Sequence, residues 1–168
     1  ELCRRTVEQE IEAMRPHFEL LRACGCEVMV FAETSGTVQG RRDVPVADRP
    51  VMREDEWPVF LERLGSLGDW MAGHGVRIAF HHHMGTVIET AHEIGRMLEG
   101  TPESVGLLLD TGHLAFAGEN PAAVSRRWAH RVNHVHAKDV RPEIMRRARE
   151  ERWSFLDAVV AGVFHILN

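Results

Sequence analysis

Three stretches of the chain carry a short apolar run straight into side chains that bind metals or move protons. They are Val76 to Gly85 (V-R-I-A-F-H-H-H-M-G), Val105 to His113 (V-G-L-L-L-D-T-G-H) and Val132 to Val140 (V-N-H-V-H-A-K-D-V). A fourth run, Cys26 to Phe31, delivers Glu33, Thr34 and Ser35 in the same way. Short continuous apolar runs predict strands buried on both faces, the signature of a parallel sheet. Strands are therefore expected near residues 26–32, 76–81, 105–110 and 132–137.

Between these runs the apolar spacing turns helical. Thr6-Val-Glu-Gln9 reads as a capping box, followed by Ile11, Met14, Phe18 and Leu21 on one face, with Pro16 predicted to kink or interrupt the helix. Residues 54–71 place Trp57, Phe60, Leu61, Leu64, Leu67 and Met71 on an inner face, with Pro58 in the first turn. Thr86-Val-Ile-Glu89 reads as a second capping box opening a helix to about Leu98, and a glycine-rich loop is expected to carry His113. Asn120-Pro121 opens a helix to about His130, two polar-faced helices follow Pro142, and Val163 to Asn168 reads as the start of a fifth strand. Residues 36–52 lack periodicity and predict a long loop able to cover a site. Strands alternating with helices imply right-handed crossovers and an α/β fold, in which the carboxyl ends of parallel strands gather on one rim.

Composition narrows the class. A length of 168 residues predicts one domain, residues 1–168, and 44% hydrophobic with 27% charged residues excludes a disordered chain. No apolar run approaches the roughly 18 residues of a membrane helix. The net charge of -5 argues against a nucleic-acid partner, which needs clustered positive charge. Cys3, Cys24 and Cys26 lack the spacing of zinc or redox motifs and read as reduced, which with the missing signal-peptide pattern points to the cytoplasm. The chain opens on Glu1 and is expected to begin mid-protein.

Eight of the eleven histidines fall between positions 81 and 136, and all of these but His92 and His130, which read as helical and surface-facing, lie at or near the ends of three predicted strands. Strand alternation puts His134 and His136 on one face, with Lys138 extending the row, and puts His81 and His83 on a face that His82 does not share. Imidazoles plus a carboxylate suit a divalent transition ion, and the spacing lets Asp110, His136 and one histidine of the triplet converge on it. Lys138 is the only lysine in the chain and lies inside the third cluster.

With these residues in hand, the chain resembles the sugar phosphate isomerase and epimerase superfamily of xylose-isomerase-like (β/α)8 barrels. Its dehydratase branch, which acts on 2-keto-myo-inositol in inositol catabolism, is the nearest likeness. The resemblance rests on F-H-H-H-M-G-T at 80–86, L-L-L-D-T-G-H-L at 107–114, H-V-H-A-K-D-V at 134–140 and S-F-L-D-A-V...G-V-F at 154–164, with weaker support from F-A-E-T-S-G-T at 31–37. It implies a partial TIM barrel of about four parallel strands, similar to barrel strands four to seven, with helices outside. The first and last strands are absent, so the chain reads as a fragment whose open edges favour a homo-oligomer.

The resemblance further implies a metal set of His81, Asp110 and His136, with His81 standing where most members have glutamate. The last family glutamate belongs to a final strand that the chain lacks. Mn or Co comes first as the ion, with Zn or Fe as the others. His83, His113 and Lys138 fall at positions for proton transfer, and Glu33, His82 and His134 at positions facing substrate. The activity implied is a hydro-lyase that takes water from a cyclic polyol ketone through a metal-stabilised enediolate. An isomerase or epimerase on the same scaffold, or an inactive fragment of either, is the alternative.

Overall fold

The four expected strands pair in chain order and all run parallel. In a computed structural model, which describes residues 1–165, they are β1 (Val28–Phe31), β2 (Arg77–His81), β3 (Val105–Asp110) and β4 (Val132–His136), in the spatial order β1-β2-β3-β4. Helices α1 (Val7–Ala23), α2 (Trp57–Gly73), α3 (Ala91–Glu99), α4 (Thr111–Ala117) and α5 (Pro121–Trp128) accompany them. Met29, Phe31, Ile78, Phe80, Val105, Leu107 and Leu109 enter one core with Phe18, Leu64, Met71 and Ile94 from the helices. The alternate residues, including Ala79, His81, Leu108 and Asp110, form the other face, because successive strand side chains point opposite ways. All six residues of β3 are buried, which explains its unbroken apolar run.

After β4 the chain forms β5 (Asp139–Val140), α6 (Pro142–Glu150), α7 (Phe155–Val160) and β6 (Phe164–His165). The expected fifth strand does not join the parallel sheet: Phe164 and His165 pair antiparallel with Val140 and Asp139 in a separate ribbon. The rest of that run, from residue 166, lies outside the described residues. This segment builds a second core in which Met84, Phe116, Val140, Ala148, Phe155 and Val163 are buried together.

Three local expectations are corrected. Helix α1 runs through Pro16 without a break. Pro16 is exposed, so the carbonyl of Glu12 that loses its helical partner can turn to water, while Met14 and Phe18 stay anchored in the core. The capping box of α3 is Thr90 with Glu93, not Thr86 with Glu89. Thr86 instead closes the preceding turn through its hydroxyl to the carbonyls of His83 and Ile88, and Glu89 accepts the N–H of Gly85. His113 lies on a helix rather than in a loop, since Asp110 ends β3 and caps α4 at once, accepting the His113 N–H at 3.0 Å.

The long loop is tied down at several points. Arg49 donates to the carbonyl of Thr86 at 3.0 Å and to Glu93 at 2.8 Å, and Val46 N–H donates to the carbonyl of Trp153 at 3.0 Å.

One irregularity shapes the concave face. The β3–β4 register shifts between Leu107 and Leu108, so Val132 pairs with Leu107 and His134 with Leu108, leaving Asn133 as an extra residue. Asn133 Nδ2 reaches across β3 to the carbonyl of Ile78 on β2 at 2.8 Å. Only glycine can lie beneath it: a Cβ on Gly106 would sit 2.1 Å from that nitrogen. Gly106→Ala is therefore expected to destabilise the fold by about 1–3 kcal/mol, the range for overpacking, as read from chemical unfolding. Adding Asn133→Ala should recover part of that loss, and additive losses would refute the link.

Candidate active site

His81, Asp110 and His136 are the last residues of β2, β3 and β4. Parallel pairing sets Asp110 beside His136 and carries their side chains to one rim. Asp110 Oδ2 lies 3.3 Å from His81 Nε2, 3.3 Å from His136 Nδ1 and 3.9 Å from His113 Nε2, and it accepts a short hydrogen bond from Lys138 Nζ. The aspartate is fully buried. Burial alone would raise its pKa, but the hydrogen bond from His81, the nearby His113 and the hydrogen bond from Lys138 hold the carboxyl far below the usual carboxylate range.

The surrounding imidazoles shift the other way. Burial pushes His82 down to about 3 and His83 down to about 4, and it takes His113 far below the ordinary value. His136 is lowered as well, first by burial and then by its neighbours His81 and Lys138. His83 Nδ1 lies 2.7 Å from the carbonyl of Met84, to which only an N–H can donate, so its Nε2 keeps the lone pair. The ring of His83 packs 3.8 Å from that of His113, and Phe155 and Phe164 close around the pair at 5.0 Å from His83 and 5.2 Å from His113.

The predicted residues do not all meet. His81, Asp110, His136, Lys138, His83 and His113 come together, and His134 is exposed with its ring 5.4 Å from that of His136. Glu33, expected to face substrate, is 1% exposed. Its carboxylate accepts the N–H groups of Leu2, Cys3 and Ser35 at 2.5, 3.3 and 2.9 Å, so it organises the N-terminal turn instead. His82, also expected at substrate, is wholly buried, with Nε2 accepting the N–H of Asp110 at 3.2 Å. Sequence reasoning missed Thr111. Its hydroxyl donates to the carbonyl of Lys138 at 2.5 Å and accepts the Lys138 N–H at 3.0 Å. Its place beside Asp110 in L-D-T-G-H was the available signal.

The donors suit a divalent ion. Ligand atoms of His81, Asp110 and His113 lie within 4.8 Å of one another, and His136 Nδ1 is buried with no hydrogen-bond partner among the described residues. Two imidazoles and a carboxylate are the nitrogen and oxygen set that such ions prefer.

The sequence matches the family described as Xylose isomerase-like TIM barrel over residues 3–167. The chain belongs to this family. The curved four-stranded parallel sheet with helices around it is half of such a barrel. The chain is 46% identical over 168 residues to the rhizopine catabolism protein MocC of Rhizobium meliloti, covering 98% of this chain and 51% of that protein. It is 44% identical over 167 residues to an inosose dehydratase of Geobacillus thermodenitrificans, covering 98% and 56%. It thus spans about half the length of the curated relatives it matches. A solved structure of IolI protein with a zinc atom superposes with a TM-score of 0.60 at 20% identity, over 77% of this chain and 44% of that one. No helix among the described residues is long and apolar enough to cross a membrane.

The depressed imidazoles set a pH dependence. Burial pushes the folded His83 down to about 4 from the ordinary imidazole value of about 6.5, so between those values the unfolded chain binds more protons. His82 acts in the same direction. Stability should be full above about pH 6.5 and fall as the pH drops toward 4, while the lowered Asp110 carboxyl matters only in stronger acid. Thermal unfolding in chelator at about pH 7 and about pH 5 tests this, at roughly 2–4 °C for each kcal/mol lost. An unchanged midpoint would contradict the buried, neutral histidines.

Proposed function

We propose that this chain is the site-bearing half of a metal-dependent hydro-lyase that removes water from a cyclic polyol ketone of the 2-keto-myo-inositol class in inositol catabolism. The observation that carries the reading is the convergence of His81, His136 and Lys138 on Asp110 Oδ2, with a neutral His83 beside them. The high identity to an inosose dehydratase supports the reaction class. A divalent ion held by His81, Asp110 and His136, Mn or Co before Zn or Fe, would polarise the ketone and stabilise the enediolate.

The chain's own residues supply the proton transfers. His83 Nε2, free because Nδ1–H is given to Met84, is placed to take the proton from the carbon next to the ketone. The electron pair left on that carbon expels the β-hydroxyl, which leaves as water on receiving a proton from the Lys138 ammonium. His113 is only 3% exposed, so it orients His83 by ring contact, and in this reading it is not the base. His134, on the open face, is placed to hold substrate hydroxyls. A cytoplasmic setting, consistent with three free cysteines, and self-association through the open sheet edges complete the reading.

The test compares this chain with a version extended at both ends, each given Mn or Co and 2-keto-myo-inositol. Water loss by the extended protein, with turnover by the 168-residue chain lower by orders of magnitude, is expected. An isomeric ketone as product would make it an isomerase or epimerase, and equal turnover by both would refute the half-site reading. In the extended protein, Gly112→Ala should lower kcat at least about tenfold with little change in KM. The added Cβ would lie 2.7 Å from that of Lys138 and push the ammonium off Asp110.

A further inference from the structure

His82 is the middle histidine of the triplet and the one that the rim does not use. Alternation turns it away from His81 and His83, into the interior, where it is 0% exposed. Its Nε2 accepts the N–H of Asp110 at 3.2 Å. The β2–β3 ladder has already ended at the pair His81 and Leu108, before Asp110 is reached, so the imidazole supplies an acceptor where the strand no longer does.

The other ring nitrogen decides how this contact should be read. Accepting through Nε2 puts the ring proton on Nδ1, and Nδ1 has no hydrogen-bond partner among the described residues. A buried donor left unpaired lowers stability. Leucine or phenylalanine would fill the same core position without that penalty, so packing does not account for a histidine here.

We propose that His82 is a positioning residue that fixes the Asp110 carboxylate by anchoring its backbone N–H from behind the sheet. Asp110 is held from two sides: its N–H by His82, and its Oδ1 by the N–H of His113 at the start of α4. Its Oδ2 is thereby presented at one point, where His81, His136 and Lys138 meet it. The anchoring stands on these hydrogen bonds alone, and its consequence for metal affinity rests on the reading of the site given above.

His82→Gln and His82→Leu separate positioning from packing, because the glutamine Oε1 reaches about as far as Nε2 while leucine offers no acceptor. Amide hydrogen exchange in the purified protein should speed up about tenfold or more at Asp110 and His113 in the leucine variant, with the amides of α2 unchanged. The glutamine variant should restore most of the protection. Co binding by calorimetry should follow the same order, weakened about 10- to 100-fold by leucine and recovered by glutamine. Wild-type exchange rates in the leucine variant, or glutamine no better than leucine, would overturn the proposal. Absence of Co binding by the wild type would count against the metal reading, and the exchange comparison would still decide the role of His82.

Discussion

Everything at the rim depends on one buried carboxylate oxygen, Asp110 Oδ2. An ionised carboxylate without partners in a protein interior is strongly disfavoured. This one accepts hydrogen bonds from His81 on β2, from Lys138 in the segment after β4 and from the N–H of His113 on α4, while His136 of β4 lies 3.3 Å away without a hydrogen bond. The ends of three strands thus meet around one charge, which β2, α4 and the segment after β4 satisfy. The same crowding, together with burial, keeps His82, His83, His113 and His136 low in pKa, so the cluster avoids stacking positive charges around a single anion.

Much of the rest of the chain holds that point still. Gly106 lets Asn133 cross the sheet and tie β4 to β2, and Gly112 lets Lys138 come close to the start of α4 while Thr111 grips its backbone from both sides. The described residues after β4 form no part of the parallel sheet. They bring Phe155 and Phe164 against His83 and His113, so the second hydrophobic core serves as the wall of the site.

The sheet ends where a full barrel would continue. Val30 on β1 and Val135 on β4 are 44% and 52% exposed, at strands whose outer edges have no strand neighbour in the four-stranded sheet. Exposed apolar residues on open parallel edges are what further strands would cover. That geometry agrees with a chain spanning about half the length of its curated relatives.

The order and direction of the four strands were legible in the sequence, because two-faced burial leaves an apolar run that ends abruptly where the rim begins. The grouping of Asp110 and His136 with one histidine of the triplet followed from the same periodicity, and the family resemblance pointed to His81 as that histidine. Local hydrogen-bond competition was not legible: Thr86-x-x-Glu89 and Thr90-x-x-Glu93 offer overlapping capping boxes, and only the contacts of Glu89 with Gly85 and Arg49 decide between them. Roles that depend on depth were also out of reach. Glu33, His82 and His113 carry the same chemistry as rim residues, yet what they do is set by which backbone groups and rings surround them once strands far apart in the chain are packed. Sequence by itself determined which groups could bind a metal or move a proton and that they would share a rim. Tertiary structure decided which of them reach it, because burial and long-range hydrogen bonding exist only after the sheet has formed.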